Sequence, residues 1–295
     1  MAFPQIAAFA RLANGDVAPV RRIAGQATRI SRADHDIEYD PVNDELVVGN
    51  PEAQAILTLR AGANGEEAPI RVIQGPHTQI NDPGYGTFVD AVHNELYVCE
   101  KAWILVFPRT ANGDVAPIRV IRGPDTELVN ARGLAVDPVR NLIFAATNNG
   151  MLVFNRTDNG NAKPRAAVKG PMSGIRGTIQ NFRLSPKGWL VATLGGRSGV
   201  GDDEEGGGGR NPGAGVATEE GRAIARGGRA PRTINAWSID DLANLHGKAD
   251  LPPGWVLSNP KGRMEGQRIA LNPIGKEVMI GGERAVEVYS FPEIF

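Results

Sequence analysis

The chain has 295 residues, 41% of them apolar, which is enough to bury a sizeable core, and 37 glycines and 21 prolines, which favour short strands and turns over long helices. Thirty-two Lys and Arg against 33 Asp and Glu leave a net charge of −1, with no basic surplus that would point to nucleic acid or to an anionic membrane. One cysteine, Cys99, excludes an internal disulfide and a cysteine-based zinc site, and no run approaches the ~20 apolar residues of a membrane span.

A unit recurs along the chain: "ANGDVAPVRRIAG" from Ala13, "GANGEEAPIRVIQG" from Gly62, "ANGDVAPIRVIRG" from Ala111, and a worn copy, "DNGNAKPRAAVKG", from Asp158. Its proline falls at Pro19, Pro69, Pro117 and Pro164, at steps of 50, 48 and 47 residues. A period in this range belongs to repeat architectures. The N-terminal residues before the first copy lack the charged start and apolar run of a signal peptide, so a cytoplasmic protein is expected, an exported mature form being the alternative.

Each repeat reads as four strands. In the clearest copy "GLAVD" (Gly133 to Asp137) precedes the turn "PVRN". "LIFAAT" (Leu142 to Thr147), "MLVFNR" (Met151 to Arg156) and the run ending "RAAVKG" follow. The runs are short, apolar and β-branched, and are bounded by Asn, Asp, Gly and Pro. Because proline has no N–H to give to a ladder, its place at the head of the fourth strand marks that strand as an edge. Arg21, Arg71, Arg119 and Arg165 are then expected along that edge, guarding it against pairing with another chain.

Units of four antiparallel strands repeating every ~45 residues are the pattern of propeller blades. Inner strands end at Asp40, Asp90, Asp137, Ser185 and Asn272, which gives five blades. The C-terminal unit supplies three strands, and "QIAAFAR" with "APVRRIAG" at the N-terminus supplies a third and a fourth. The prediction is an all-β, five-bladed propeller whose N- and C-terminal strands close one sheet, with six blades as the alternative, in a single domain spanning 1–295.

Spacing between inner strands is 50, 47 and 48 residues, then jumps to 87. The excess falls in a glycine-rich insertion within the fourth blade, residues 195–232, which carries 13 glycines, six acidic residues and six arginines. Its "DDEEGGGG" run (Asp202, Asp203, Glu204, Glu205) lacks the alternation that lets calcium-loop carboxylates converge on one ion. A solvated excursion or a partner-binding loop at the mouth of the central channel is the expectation.

Residues leading into the inner strands are expected to ring that mouth. One layer reads Asp36, Gly86, Gly133, Asn181 and Arg268, and the layer before it His35, Tyr85, Arg132, Gln180 and Gln267. Two positions further on, Glu38 and Arg183 interrupt an apolar layer; they lie two blades or more apart, so their pairing is left open. Asp36, Asn181, Glu265 and Asn130 form a set of oxygen donors suited to calcium; the alternative is that they solvate a wet channel and satisfy turn backbone. His35 and His77 fall on neighbouring crossovers and form the one histidine pair with a case for proximity. No nucleophile elbow and no Ser-His-Asp or Cys-His spacing is present, so no catalytic residue is assigned.

The inner "xxVD" strand, the following "NLIFAAT" type of strand and the "ANGDVAPIRVIRG" unit resemble bacterial β-propeller repeats of the NHL and YVTN type. The resemblance implies a propeller used as a scaffold or binding module. The blade pattern is also similar to calcium-dependent lactonases of the gluconolactonase and regucalcin type, which implies as an alternative a calcium-dependent hydrolase with its site at the channel mouth. The expected function is a non-enzymatic protein-binding module or structural subunit of an assembly, with a protein partner and neither nucleic acid nor membrane insertion.

Overall fold

The computed structural model describes residues 4–32, 36–148, 150–175, 177, 179–194, 232–258, 264, 268–282 and 285–295. Five sheets stand in a ring. Blade one is β3 (Ile37–Asp40), β4 (Glu45–Asn50), β5 (Ala55–Arg60) and β6 (Arg71–Gln74), in that order from the channel outward. Blade two is β7 (Thr87–Asp90), β8 (Glu95–Glu100), β9 (Trp103–Pro108) and β10 (Arg119–Arg122). Blade three is β11 (Leu134–Asp137), β12 (Leu142–Thr147), β13 (Gly150–Asn155) and β14 (Ala166–Val168), with β18 (Gly247–Ala249) added in parallel outside β14. Blade four is β15 (Phe182–Leu184), β16 (Trp189–Leu194), β17 (Thr233–Ser238) and β19 (Trp255–Ser258), with the short helix α1 (Ile239–Ala243) after β17. Blade five is β20 (Arg268–Asn272), β21 (Glu277–Gly281) and β22 (Val286–Ser290). The five-blade reading therefore holds, and the glycine-rich insertion lies outside the described residues but for Arg232.

The strands form because each blade is sandwiched. "ELYVCE" and "LIFAAT" do not alternate between apolar and polar, and all six residues of each are buried, since both faces of a middle blade meet a neighbour. The core is consequently a set of layers between blades. Tyr97, Ile104 and Val106 of blade two meet Leu134, Val136, Leu152 and Phe154 of blade three. Phe144, Met151 and Val153 of blade three meet Phe182, Leu190 and Trp237. Each fully buried side chain of this size contributes roughly 1.5–3 kcal/mol by leaving water. The aspartates that end the inner strands close the first hairpin: Asp90 Oδ1 accepts from Val92 N and His93 N, and Asp40 and Asp137 do the same for their own turns.

One expectation is corrected. The N-terminal strands do not join the C-terminal sheet. β1 (Gln5–Ala8) pairs with β2 (Arg21–Ala24) as a separate two-stranded sheet, and blade five keeps three strands. β1 and β22 both hold the place of a third strand in the repeat, and one blade has room for one.

A latch between blades

The repeated unit joins neighbouring blades. In the copy at Ala111, Asn112 Oδ1 accepts from Val72 N of blade one's edge strand at 2.9 Å. Gly113 N donates to Val72 O, and Gly113 O accepts from Gln74 N, which makes a parallel bridge from Gly113 to Ile73. Asp114 Oδ1 then accepts from His77 N at 2.8 Å. A Cβ on Gly75 would stand 2.4 Å from Asp114 Cγ, and φ there is +134°, so the residue beneath the latch must be glycine.

The same set recurs twice. Asn159, Gly160 and Asn161 of blade three hold Val120, Ile121 and Asp125 of blade two. Asn64, Gly65 and Glu66 of blade one hold Arg22, Ile23 and Ala27. For blade four, Gly247 and Asp250 replace the motif, gripping Arg165 O, Met172 N and Ser173 N. β2 is thus docked on blade one as an edge strand of blade five would be.

The edge arginines also acquire a role other than guarding an edge. Glu95, at the start of β8, receives Arg119 of its own edge strand and Arg156 of the next blade, each at 2.8 Å. Glu45 receives Arg71 and Arg109 in the same way. Burial alone would raise the Glu95 carboxyl, but hydrogen bonds from Arg119, Tyr97 and Arg156 outweigh it and hold it at about 2.

Between blade five and blade one this system is incomplete. Glu277 holds the position of Glu45 and Glu95, yet among the described residues its one ion pair is with Arg11, at 3.2 Å, while Arg60 turns to Glu67. Arg21 has no ion pair among the described residues. Ile37 and Tyr39 are 39% and 51% exposed and Val286 and Val288 63% and 54%, whereas their counterparts in blade three, Leu134, Val136, Met151 and Val153, are buried. A cleft of about 410 Å³ lined by Arg21, Tyr39, Asp44, Leu46, Ala61 and Gly62 opens at this seam. Asn14, Gly15 and Asp16 repeat the sequence of the latch at Asn112, but they grip nothing among the described residues.

Candidate functional site

The layer that leads into the inner strands is spent mainly on joints between blades. Asn181 donates from Nδ2 to Ile269 O and accepts at Oδ1 from Ile269 N, both at 3.1 Å, which fixes blade five to blade four. Gly86 and Gly133 do the same by having no side chain. A Cβ on Gly86 would lie 2.6 Å from Arg132 O, and one on Gly133 3.2 Å from Asn181 Cα. Asp36 Oδ2 accepts from Thr87 N at 3.4 Å, linking blade one to blade two.

The charged members converge. Arg183 Nη2 stands 3.4 Å from Glu38 Oε2 and 3.5 Å from Asp36 Oδ1, so the ring is narrow enough for blades one and four to meet across the channel. Arg183 also donates to Phe182 O and Ile37 O. Arg268 Nη1 lies 3.8 Å from Asp36 Oδ1 and donates to Gln180 O at 3.3 Å. Burial raises the Glu38 carboxyl to about 7, against the attraction of Arg183 and with the help of Asp36 and Asp40. Burial, and then the like charges of Arg183 and Arg132, lower Arg268 from its ordinary value although Asp36 opposes them. Arg132 stacks on Tyr85 with Cζ 4.5 Å from the ring centroid, and Lys101 Nζ lies 5.4 Å from the same ring. Lys101 is the member that sequence reasoning did not single out; its place directly after a second strand is the signal that could have found it.

Other candidates are placed elsewhere. His77 is on the outer rim, its Nδ1 2.6 Å from Asp114 Oδ2 beside a latch, and does not line the channel. Asn130 is an exposed turn residue with φ +49°. His35, Glu265, Gln267 and the run Asp202, Asp203, Glu204 and Glu205 lie outside the described residues. Cys99 is buried, and burial pushes its thiol up, away from reactivity.

Among the described residues the oxygen donors of the expected calcium set do not come together as a site; Glu265 lies outside them. Asp36 faces two guanidinium groups, Asn181 has both amide atoms committed to backbone, and Asn130 is remote in role. Among the described residues no group of three or more His, Cys, Asp or Glu is arranged to hold a metal ion. No helix among them is long and apolar enough to cross a membrane.

No protein-family model and no curated protein matches the chain. Among solved structures 558 chains match, so the architecture is widely shared and carries no single activity. Hydrazine synthase of Kuenenia stuttgartiensis superposes with a TM-score of 0.51 at 12% identity, over 83% of this chain and 54% of that one. The chain therefore spans about half the length of that protein, and the likeness shows the fold alone: a five-bladed β-propeller.

Proposed function

We propose that the protein is a non-enzymatic binding module, a structural subunit of an assembly, built on repeats of the NHL and YVTN type. The observation that carries this reading is the unengaged latch at Asn14, Gly15 and Asp16. The same tripeptide, at Asn112, Gly113 and Asp114, grips an edge strand through four hydrogen bonds to its backbone and the turn after it. A latch that reads backbone and a glycine accepts the edge strand of another chain as readily as its own. The open seam beside it adds exposed apolar surface on β3 and β22.

A labelled peptide carrying the latched sequence Ile70 to Thr78, "IRVIQGPHT", supplies the test. It should bind the full-length protein, and Asn14→Ala with Asp16→Ala should abolish binding without lowering the melting temperature. Absence of binding at millimolar peptide, or binding that survives the double substitution, would overturn the reading.

A further inference from the structure

We propose that β22 and β1 are alternative partners of β2, so that the ring has a second, closed arrangement in which β22 takes the edge of β2 and β1 is displaced. This does not rest on the latch reading, in which Asn14, Gly15 and Asp16 carry the binding. Register comes first. In blade one the third and fourth strands pair Ile56 with Ile73, Leu57 with Val72 and Thr58 with Arg71. Blade two pairs Ile104 with Ile121, Leu105 with Val120 and Val106 with Arg119. β1 meets β2 in that same register, Ile6 with Ile23, Ala7 with Arg22 and Ala8 with Arg21. The second-strand glutamates fix the count for blade five. Glu95 stands opposite Pro108 and Glu277 opposite Ser290, so Val286, Glu287 and Val288 hold the places of Ile104, Leu105 and Val106. Set against β2, they face Ile23, Arg22 and Arg21.

Charge comes second. The middle pair is apolar on both strands in blades one and two, Leu57 with Val72 and Leu105 with Val120. β2 carries Arg22 at that place, and β22 carries the opposite charge, Glu287. Opposite charges directly across a strand pair stabilise it. In β1 the residue across from Arg22 is Ala7, which offers the guanidinium no acceptor. The neighbouring position repeats the match. Arg71 reaches Glu45 and Arg119 reaches Glu95, each the second-strand glutamate of its own sheet. Arg21 holds the same position on β2, and in the closed sheet its glutamate is Glu277.

Placement comes third. β2 is already latched to blade one through Asn64 and Gly65, as β6 is latched to blade two, so it can stay where it is. Closing brings blade five toward blade one, covers the exposed Ile37, Tyr39, Val286 and Val288, and gives blade five the fourth strand it lacks.

Cysteine pairs in the full chain test this. Ala24→Cys lies opposite position 5 in the open arrangement and opposite position 285 in the closed one. Paired strands bring Cα atoms to roughly 4.5–5.5 Å, within reach of a disulfide, and buried Cys99 stays out of the exchange. Under mild oxidation of the folded protein, Ala24→Cys should cross-link quickly with Gln5→Cys and more slowly with Ala285→Cys, each within one chain on a non-reducing gel. Glu287→Arg should slow the second cross-link about threefold or more, and Glu287→Arg combined with Arg22→Glu should restore it, with the first cross-link unchanged. A link between positions 24 and 285 that fails to form, that joins two chains, or that ignores the charge swap would overturn the closed arrangement.

Discussion

The junction between blades two and three and the junction between blades five and one are built from the same parts and end differently. At the first, a latch, a buried carboxylate between two arginines and two apolar faces are all engaged. At the second, β2 is latched to blade one, but among the described residues Glu277 has one exposed arginine partner and Arg21 no ion pair, and Ile37, Tyr39, Val286 and Val288 of β3 and β22 are exposed. The repeat thus encodes contacts between blades rather than the blades themselves. A ring made by repetition has one junction where the chain ends must meet. There the sequence offers two third strands, β1 and β22, for one place.

Substitutions at sealed and open places in the ring separate the two cases. The largest contrast concerns the carboxylates. Glu95→Ala strands Arg119 and Arg156 and should cost about 3 kcal/mol or more in urea unfolding, while Glu277→Ala, which removes an exposed pair, should cost below about 1 kcal/mol. The Glu95 contribution also depends on pH. Its folded value lies below its unfolded value of 4.5, so the stabilisation is complete above about 4.5 and is lost as pH falls toward 2. Native protein should show that loss and Glu95→Gln should not.

Next in size is close packing of the backbone. Gly86→Ala places a methyl 2.6 Å from Arg132 O and should destabilise by roughly 1–3 kcal/mol, whereas Gly281→Ala meets nothing within 4 Å and should be silent. Smallest is the latch itself. Asn112→Ala leaves Val72 N without its acceptor and should cost about 1 kcal/mol; Asn14→Ala should change the melting temperature within error. Equal effects of Glu95→Ala and Glu277→Ala would show that the seam is closed in solution.

The fold was legible because it is written in period and turn residues. Proline at the strand head, "NG" turns and Asp at the end of the inner strand mark blades one to three, from Ile37 to Val168. What the latch does was not legible, since Asn112 and Val72 are 40 residues apart in sequence and meet only when blades stack. The arginines of the edge strands were misread for the same reason: their glutamates lie on second strands, and a strand-by-strand reading assigns both to solvent. At the channel, Asp36, Glu38, Arg183 and Arg268 were all picked out by position, but their balance of charge follows from the narrow ring, which brings blade four against blade one. That geometry sets Asp36 between Arg183 and Arg268, so its carboxylate serves ion pairs across the channel. Asn181 looked like a ligand and is a clamp, because a side-chain amide fits the free N–H and C=O at the head of the next inner strand.

The central claim, that the junction between blades five and one is open while that between blades two and three is sealed, is tested most directly by native-state hydrogen exchange resolved by strand. The account predicts that amides of β1 and β22 exchange at least about tenfold faster than those of β8 and β12, with opening free energies well below the global value. Protection in β1 and β22 equal to that in β8 would contradict it.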